Sequence, residues 1–213
     1  MPRIVGQIDL AKTEAILDAA SEVLAERGLA APIEEIARRA GVSKQTIYNR
    51  YGCKTELVRA LVERRVDSIT APLRSPGAEE HPEETLTAYA RSLLRVIESG
   101  GYSLMRLSIQ SAGELPELAR EVYANGPLRS RGQLAEFLEL ETRAGRMKVE
   151  DPMQAAEFFG GMVMANRQIQ ALLRLPTGLT AGEIDRLAAE AARVFMRAYA
   201  ANPPPTASRA GEE

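Results

Sequence analysis

The chain has no tryptophan, one cysteine and one histidine, and aromatic residues make up only 5% of it. A single cysteine excludes an internal disulfide framework and fits a reducing cytoplasm. The lone histidine, His81, stands between Glu80 and Pro82 in a polar stretch, far from Cys53 in sequence. A zinc site or a nucleophile–base pair needs more such groups at defined spacing, so no metal, no cofactor and no enzymatic activity is expected. There is no run of about 20 apolar residues, which excludes a span across a membrane. The first residues, MPRIVGQIDLAKTE, lack the apolar core of a signal peptide. β-branched residues do not alternate with a period of two, so no sheet is expected.

What the chain does have is Ala, Leu, Glu and Arg, all strong helix formers. Hydrophobic residues are 45% of 213, enough to bury a sizeable core. The fold class is therefore all-α. Charge is unevenly placed: residues 1–65 hold 11 Lys and Arg against 9 Asp and Glu, while the remainder holds 16 against 20. Within the first region the stretch from Arg38 to Lys54 carries Arg38, Arg39, Lys44, Arg50 and Lys54 and no acidic residue. Bare positive charge in a chain of net charge −2 points to a polyanionic partner.

Apolar spacing and breaker residues predict where the helices lie. The first runs from Lys12 to Arg27 and stops at Gly28, after a flexible arm over residues 1–10. The second follows Pro32 and reaches Ala40. Gly41 permits a tight turn, and Ser43 caps a short third helix from Lys44 to Arg50. A fourth, from Lys54 to Ala71, is long enough to join two regions. Further helices are expected over Glu83–Ser99, Tyr102–Ala112, Pro116–Ala124, Leu128–Ala144, Pro152–Arg174 and Thr180–Ala201, about nine of substance in all. Asn125-Gly126-Pro127 reads as a stop, and residues 202–213 read as a disordered tail. These limits suggest a first domain over residues 1–56, arm included, and a larger helical bundle over 57–201.

The segment from Glu14 to Val62, EAILDAASEVLAERGLAAPIEEIARRAGVSKQTIYNRYGCKTELVRALV, resembles the DNA-binding domain of TetR-family transcriptional regulators. The matching parts are Ile-Ala-x-x-Ala-Gly-Val-Ser across the turn, then Thr-Ile-Tyr-x-x-Tyr and Lys-x-x-Leu. Farther on, PELAREVYANGP and AGRMKVEDPMQAAEFFGGM resemble the C-terminal domains of the AefR-like branch. Leu24, Ala31-Pro32, Tyr51 and Cys53 depart from the commonest family residues. Cys53 beside Lys54 reads as a small cap substitute ahead of a redox sensor. Reading heads of a helix-turn-helix dimer lie about 34–36 Å apart, and a disulfide needs Cα atoms within about 7 Å.

The resemblance implies a helix-turn-helix whose third helix enters the major groove of a palindromic operator. Gln45, Thr46 and Asn49 have the chemistry to read base edges. Ser43, Lys44, Tyr48, Arg50 and Lys54 suit phosphates, Lys54 together with the N–H groups opening the fourth helix.

For the larger region the resemblance implies a sensor for a small effector and a homodimer. Candidate effector contacts on the earlier helices are Tyr89, Leu93, Met105, Ile109, Gln110 and Tyr123. Phe137, Phe159, Met162 and Asn166 are those on the later ones; for any one of them core packing is the plainer reading. The last two helices carry apolar residues over more than one face. Gly160, Ala165, Leu172, Ala188, Ala191, Phe195 and Tyr199 are the expected subunit interface. The function expected is that of a repressor released from DNA by a largely apolar ligand. The alternative is a DNA-binding interaction protein of the same fold, governed by a protein partner.

Overall fold

A computed structural model describes residues 5–99 and 102–201. The expectations for residues 1–4, for Gly100-Gly101 and for the tail at 202–213 lie outside them. Among the described residues there is no strand, only an isolated antiparallel bridge between Met147 and Ala200. Helix α1 spans Val5–Arg27 and so reaches back into the expected arm. It is followed by α2 (Ile33–Ala40), α3 (Lys44–Tyr51) and α4 (Lys54–Thr70). A 3-10 turn covers Ala71–Arg74; then come α5 (Pro82–Glu98), α6 (Ser103–Ser111) and α7 (Pro116–Tyr123). A π-helical segment, Ala124–Leu128, leads into α8 (Arg129–Arg143), and α9 (Pro152–Met164), α10 (Arg167–Leu172) and α11 (Ala181–Tyr199) complete the order.

The chain forms two compact units. Of the described residues, the first comprises those within 5–68, 96–130 and 168–177, and the second those within 69–95, 131–167 and 178–201. The first unit thus extends past the expected boundary at residue 56. Its core joins Ile16, Ala20, Val23 and Leu24 of α1, Ile33 and Ile36 of α2, Ile47 of α3 and Leu57, Val58, Leu61 and Val62 of α4. Val122 of α7 is buried in the same cluster, and Leu104, Leu107 and Leu118 pack against it. Burying a side chain of this size stabilises by about 1.5–3 kcal/mol, so the cluster holds α6 and α7 to α4 as well as to α1.

Two predicted helix limits change. Asn125-Gly126-Pro127 does not end a helix: it lies inside the π segment that makes α7 and α8 continuous. The wider π turn keeps the proline ring off the preceding turn, and Pro127 has no N–H to leave unpaired. The Asn125 amide donates to the Glu121 carbonyl at 3.0 Å and its carboxylate at 2.9 Å, bracing the bulge. In the other direction, the helix expected over Pro152–Arg174 is broken. Ala165 takes φ +43° after α9, a conformation that costs an alanine about 1–3 kcal/mol.

In the second unit an aromatic series runs through the core. Tyr89 of α5 stacks on Phe159 of α9 at 6.1 Å, Phe159 meets Phe195 of α11 edge-on at 5.1 Å, and Phe195 lies 4.5 Å from Tyr199. Glu141, 0% exposed at the end of α8, accepts from the Arg146 guanidinium at 2.7 and 2.9 Å. The next residues then meet the end of α11, with the Lys148 N–H donating to the Tyr199 carbonyl at 2.7 Å.

Candidate nucleic-acid interface

The turn between α2 and α3 is fixed by backbone chemistry. Gly41 adopts φ +66°, the left-handed region that a side chain makes costly. Past it, the Val42 N–H donates to the Ala37 carbonyl at 3.0 Å and closes α2. Ser43 then caps α3: its Oγ accepts from the Thr46 N–H at 3.0 Å and lies 2.8 Å from the Thr46 hydroxyl. Ser43 and Thr46 are thereby committed to holding the helix start.

Ile47 is only 1% exposed and presses one side of α3 into the core. The opposite side presents Lys44, Gln45, Tyr48 and Asn49 outward. Gln45 Nε2 donates to Asn49 Oδ1 at 2.7 Å, so the two expected base readers lie side by side one turn apart. The Lys44 ammonium is paired with the Glu34 carboxylate and sits 5.6 Å from the centre of the Tyr48 ring. That hydrogen bond is the main reason the Lys44 pKa is raised and the Glu34 pKa lowered. Arg50 donates to the Thr13 hydroxyl of α1, which ties the end of α3 to the first helix.

Lys54 is placed differently from expectation. Its ammonium is turned inward onto the carbonyls of Leu29 and Ala31, where burial lowers its pKa. The side chain supports the loop between α1 and α2; the N–H groups of the first turn of α4 keep the anion-binding chemistry of a helix start. Arg38 and Arg39 are also engaged. Arg39 grips Glu26 at 2.7 and 2.9 Å, and Arg38 and Arg27 approach Glu35, which is 8% exposed, at 3.6 and 2.8 Å.

Helix α4 is held along two turns by α7, the π segment and the first residue of α8. Arg59 meets Glu121 at 3.1 Å, and Arg129 reaches Asp67 at 3.3 Å and Glu63 at 3.6 Å. Gly126 packs so closely that an added Cβ would stand 3.3 Å from Val62 Cγ1. Sequence reasoning missed these partners and also Glu34 and Thr13, because pairs between helices leave no periodic trace. A groove of about 500 Å³ runs beside the start of α4, lined by Leu29, Lys54, Val58, Arg59, Leu115 and Leu118 among others.

The expected effector residues divide between the two units. Tyr89, Leu93, Phe137, Phe159, Met162 and Asn166 belong to the second, and Met105, Ile109, Gln110 and Tyr123 to the first. Tyr89, Phe137 and Phe159 are at most 5% exposed, whereas Ile109 and Tyr123 are 57% and 49% exposed. Of the residues expected at a subunit interface, some are enclosed within one protomer. Ala188, Ala191 and Phe195 are at most 5% exposed within one protomer, since the apolar stripe of α11 faces α9 of the same chain. Leu172 lies on α10 in the first unit. Gly160 and Tyr199 are half-buried, and Ala165 is exposed at the helix break. Large apolar side chains that face outward on these two helices are Met153, Phe158 and Met162 of α9, 43%, 55% and 39% exposed, and Val194 of α11 at 41%.

A buried first helix, a glycine turn and a capped helix with one polar face define a helix-turn-helix DNA-binding domain. Comparison with known proteins agrees. Residues 16–61 match the family model for bacterial regulatory proteins of the tetR family. Residues 84–201 match that for the C-terminal domain of AefR-like transcriptional repressors. The chain belongs to the TetR family of transcriptional regulators, a family of DNA-binding proteins and not of enzymes.

Among its relatives, the transcriptional repressor Rv3405c of Mycobacterium tuberculosis is 32% identical over 130 residues, 60% of this chain and 68% of that protein. The transcriptional activator FasR of Mycolicibacterium smegmatis is 47% identical over 60 residues, which span 28% of this chain and 27% of FasR. Among solved structures, a TetR-family regulator from Mesorhizobium loti aligns over 89% of this chain and 96% of its own, with TM-score 0.74 and 27% identity. The flavonoid-responsive regulator FrrA aligns over 89% and 97%, with TM-score 0.66 and 29% identity. No helix among the described residues is long and apolar enough to cross a membrane.

Proposed function

We propose that the protein acts in the cytoplasm as a homodimeric repressor on a palindromic operator and leaves it when a small, largely apolar effector binds. The observation that carries the DNA-reading half is the bonded pair Gln45 and Asn49, outward on α3 while Ile47 anchors the other side. A glutamine at the N-terminal end of a recognition helix pairs with adenine, and Asn49 on the next turn reaches the neighbouring base or phosphate.

Repression, as against activation, is favoured by the extent of likeness. The repressor-type C-terminal model spans residues 84–201, and Rv3405c is matched over 60% of this chain, whereas FasR is matched over 28%. An aromatic effector fits the flavonoid response of FrrA and the stacked Tyr89 and Phe159 of this chain. Asn166, in the same unit as that aromatic pair, is the side chain we assign to orienting it. The dimer would use the outward faces of α9 and α11, where Phe158, Met162 and Val194 stand ready for a two-fold contact.

Release would operate through α4, which starts beside the recognition helix and is held at Arg59, Val62, Glu63 and Asp67. An effector that binds better to the conformation with displaced reading heads weakens DNA binding by that difference, about 1–3 kcal/mol in most such systems. The deciding experiment selects bound DNA from a random pool. Two inverted half-sites about one helical turn apart are expected; an asymmetric site, or no enrichment at all, overturns the proposal.

A further inference from the structure

The cation at the reading end of α3 is already occupied before any nucleic acid arrives. Lys44, the first residue of α3, is paired with Glu34 of α2, and both side chains lie open, 49% and 58% exposed. The same ammonium lies 5.6 Å from the Tyr48 ring. One carboxylate therefore restrains two side chains assigned to phosphates. Glu34 differs here from its neighbour Glu35, which is buried and bound to Arg27 and Arg38. Glu35 fastens the domain together; Glu34 faces solvent beside the helix that meets DNA.

We propose, building on the reading of α3 as the DNA-reading helix, that Glu34 is an affinity attenuator which competes with DNA phosphate for Lys44. When a lysine contacts a phosphate, the DNA releases a condensed counterion, and this release drives sequence-independent binding. Lys44 must first leave Glu34. The carboxylate left behind attracts a cation from solution and repels the approaching phosphate. Gain and loss largely cancel, so Lys44 positions the protein without adding much general affinity. Contacts from Gln45 and Asn49 to base edges are untouched by this exchange. The exchange therefore lowers the sequence-independent term common to every site and leaves base reading as it is.

The test is Glu34→Gln in the full-length chain, which keeps the size of the side chain and removes its charge. Binding to mixed-sequence duplex DNA is measured across a salt series by fluorescence anisotropy. Glu34→Gln is expected to bind about two- to fivefold more tightly per subunit, the range of an exposed ion pair. The plot of log K against log salt should steepen by about 0.9 per subunit. In a Lys44→Ala background the same change should have no effect, because there is no ammonium left to release. Unchanged affinity and slope would overturn the proposal. So would weaker binding, which would make Glu34 a residue that holds Lys44 in its binding pose, and so would tighter binding that persists without Lys44. If the unaltered protein binds no duplex DNA at all, the reading of α3 falls together with this one. Thermal melting of each variant checks that the domain stays folded.

Discussion

Gln45 and Asn49 are joined side chain to side chain, amide nitrogen to carboxamide oxygen, at 2.7 Å on the outward face of α3. The bond uses one of the two Nε2 hydrogens of Gln45 and leaves the other, with Oε1, for an adenine edge. Asn49 thus orients the reader as well as reading. Gln45→Ala should cost about 1–3 kcal/mol against the preferred base and flatten preference at one position per half-site. Asn49→Ala should broaden that same position, because the unheld amide rotates. Selection from a random pool with each variant measures both, and an unaltered profile removes the residue from the reading set.

Lys54 gives an opposite expectation. Its ammonium serves the carbonyls of Leu29 and Ala31. Lys54→Met should lower the stability of the domain by about 1–3 kcal/mol, the cost of carbonyls left without a donor. The salt dependence of DNA binding should keep its slope. A slope reduced by about one unit would return Lys54 to the phosphate contacts.

Tyr51 carries a buried hydroxyl that meets no hydrogen-bond partner among the described residues. Burial also raises the pKa of this phenol, as expected where the charged form has lost its water. Tyr51→Phe removes the unsatisfied group and should stabilise the protein by about 1 kcal/mol or more. Urea unfolding reads this directly, and a loss of stability would show that the hydroxyl has a partner in solution.

Glu141 is the fully buried member of an ion pair, with Arg146 as its donor. Arg146→Met strands that carboxylate, at a cost of about 3–5 kcal/mol. The double change Glu141→Leu with Arg146→Met should recover most of the loss, since no buried charge then remains. Chemical denaturation of the unaltered protein and the two variants tests it; equal stability of single and double variants would contradict the account.

Phe158 stands 55% exposed on α9 and Met162 follows one turn later. If these faces meet across a two-fold axis, Phe158→Glu should convert a dimer to a monomer with helix content unchanged. Sedimentation gives the mass and circular dichroism the fold. A dimer that survives places the interface elsewhere.

The first four helices were legible because each carries its own punctuation. Gly28, Gly41, Ser43 and Gly52 mark ends that the structure keeps. The α3 surface was legible too, since a helix with one buried isoleucine must present its other residues outward. What was not legible depends on contacts between helices. Glu34 and Lys44 are ten residues apart on different elements, and Arg129 lies more than sixty from its partners Glu63 and Asp67. In the run Met164-Ala165-Asn166-Arg167 only Asn166 disfavours a helix, too weak a signal alone to mark a break inside an apolar stripe. The stripe of Ala188, Ala191 and Phe195 showed that α11 buries one side but not against what; the answer was its own chain.

The π segment at Ala124–Leu128 also bears on how this protein tolerates changes in length. In a regular α-helix, losing one residue turns everything beyond it by about 100° and scrambles every downstream contact. Here the helix already holds a surplus residue, absorbed as a bulge. Dropping one position between 124 and 128 would relax the bulge to ordinary α geometry and leave Arg129 and all of α8 facing as before. Relatives one residue shorter at this place would therefore share the fold without a compensating change, and an alignment that puts its gap here would be the physically sound one.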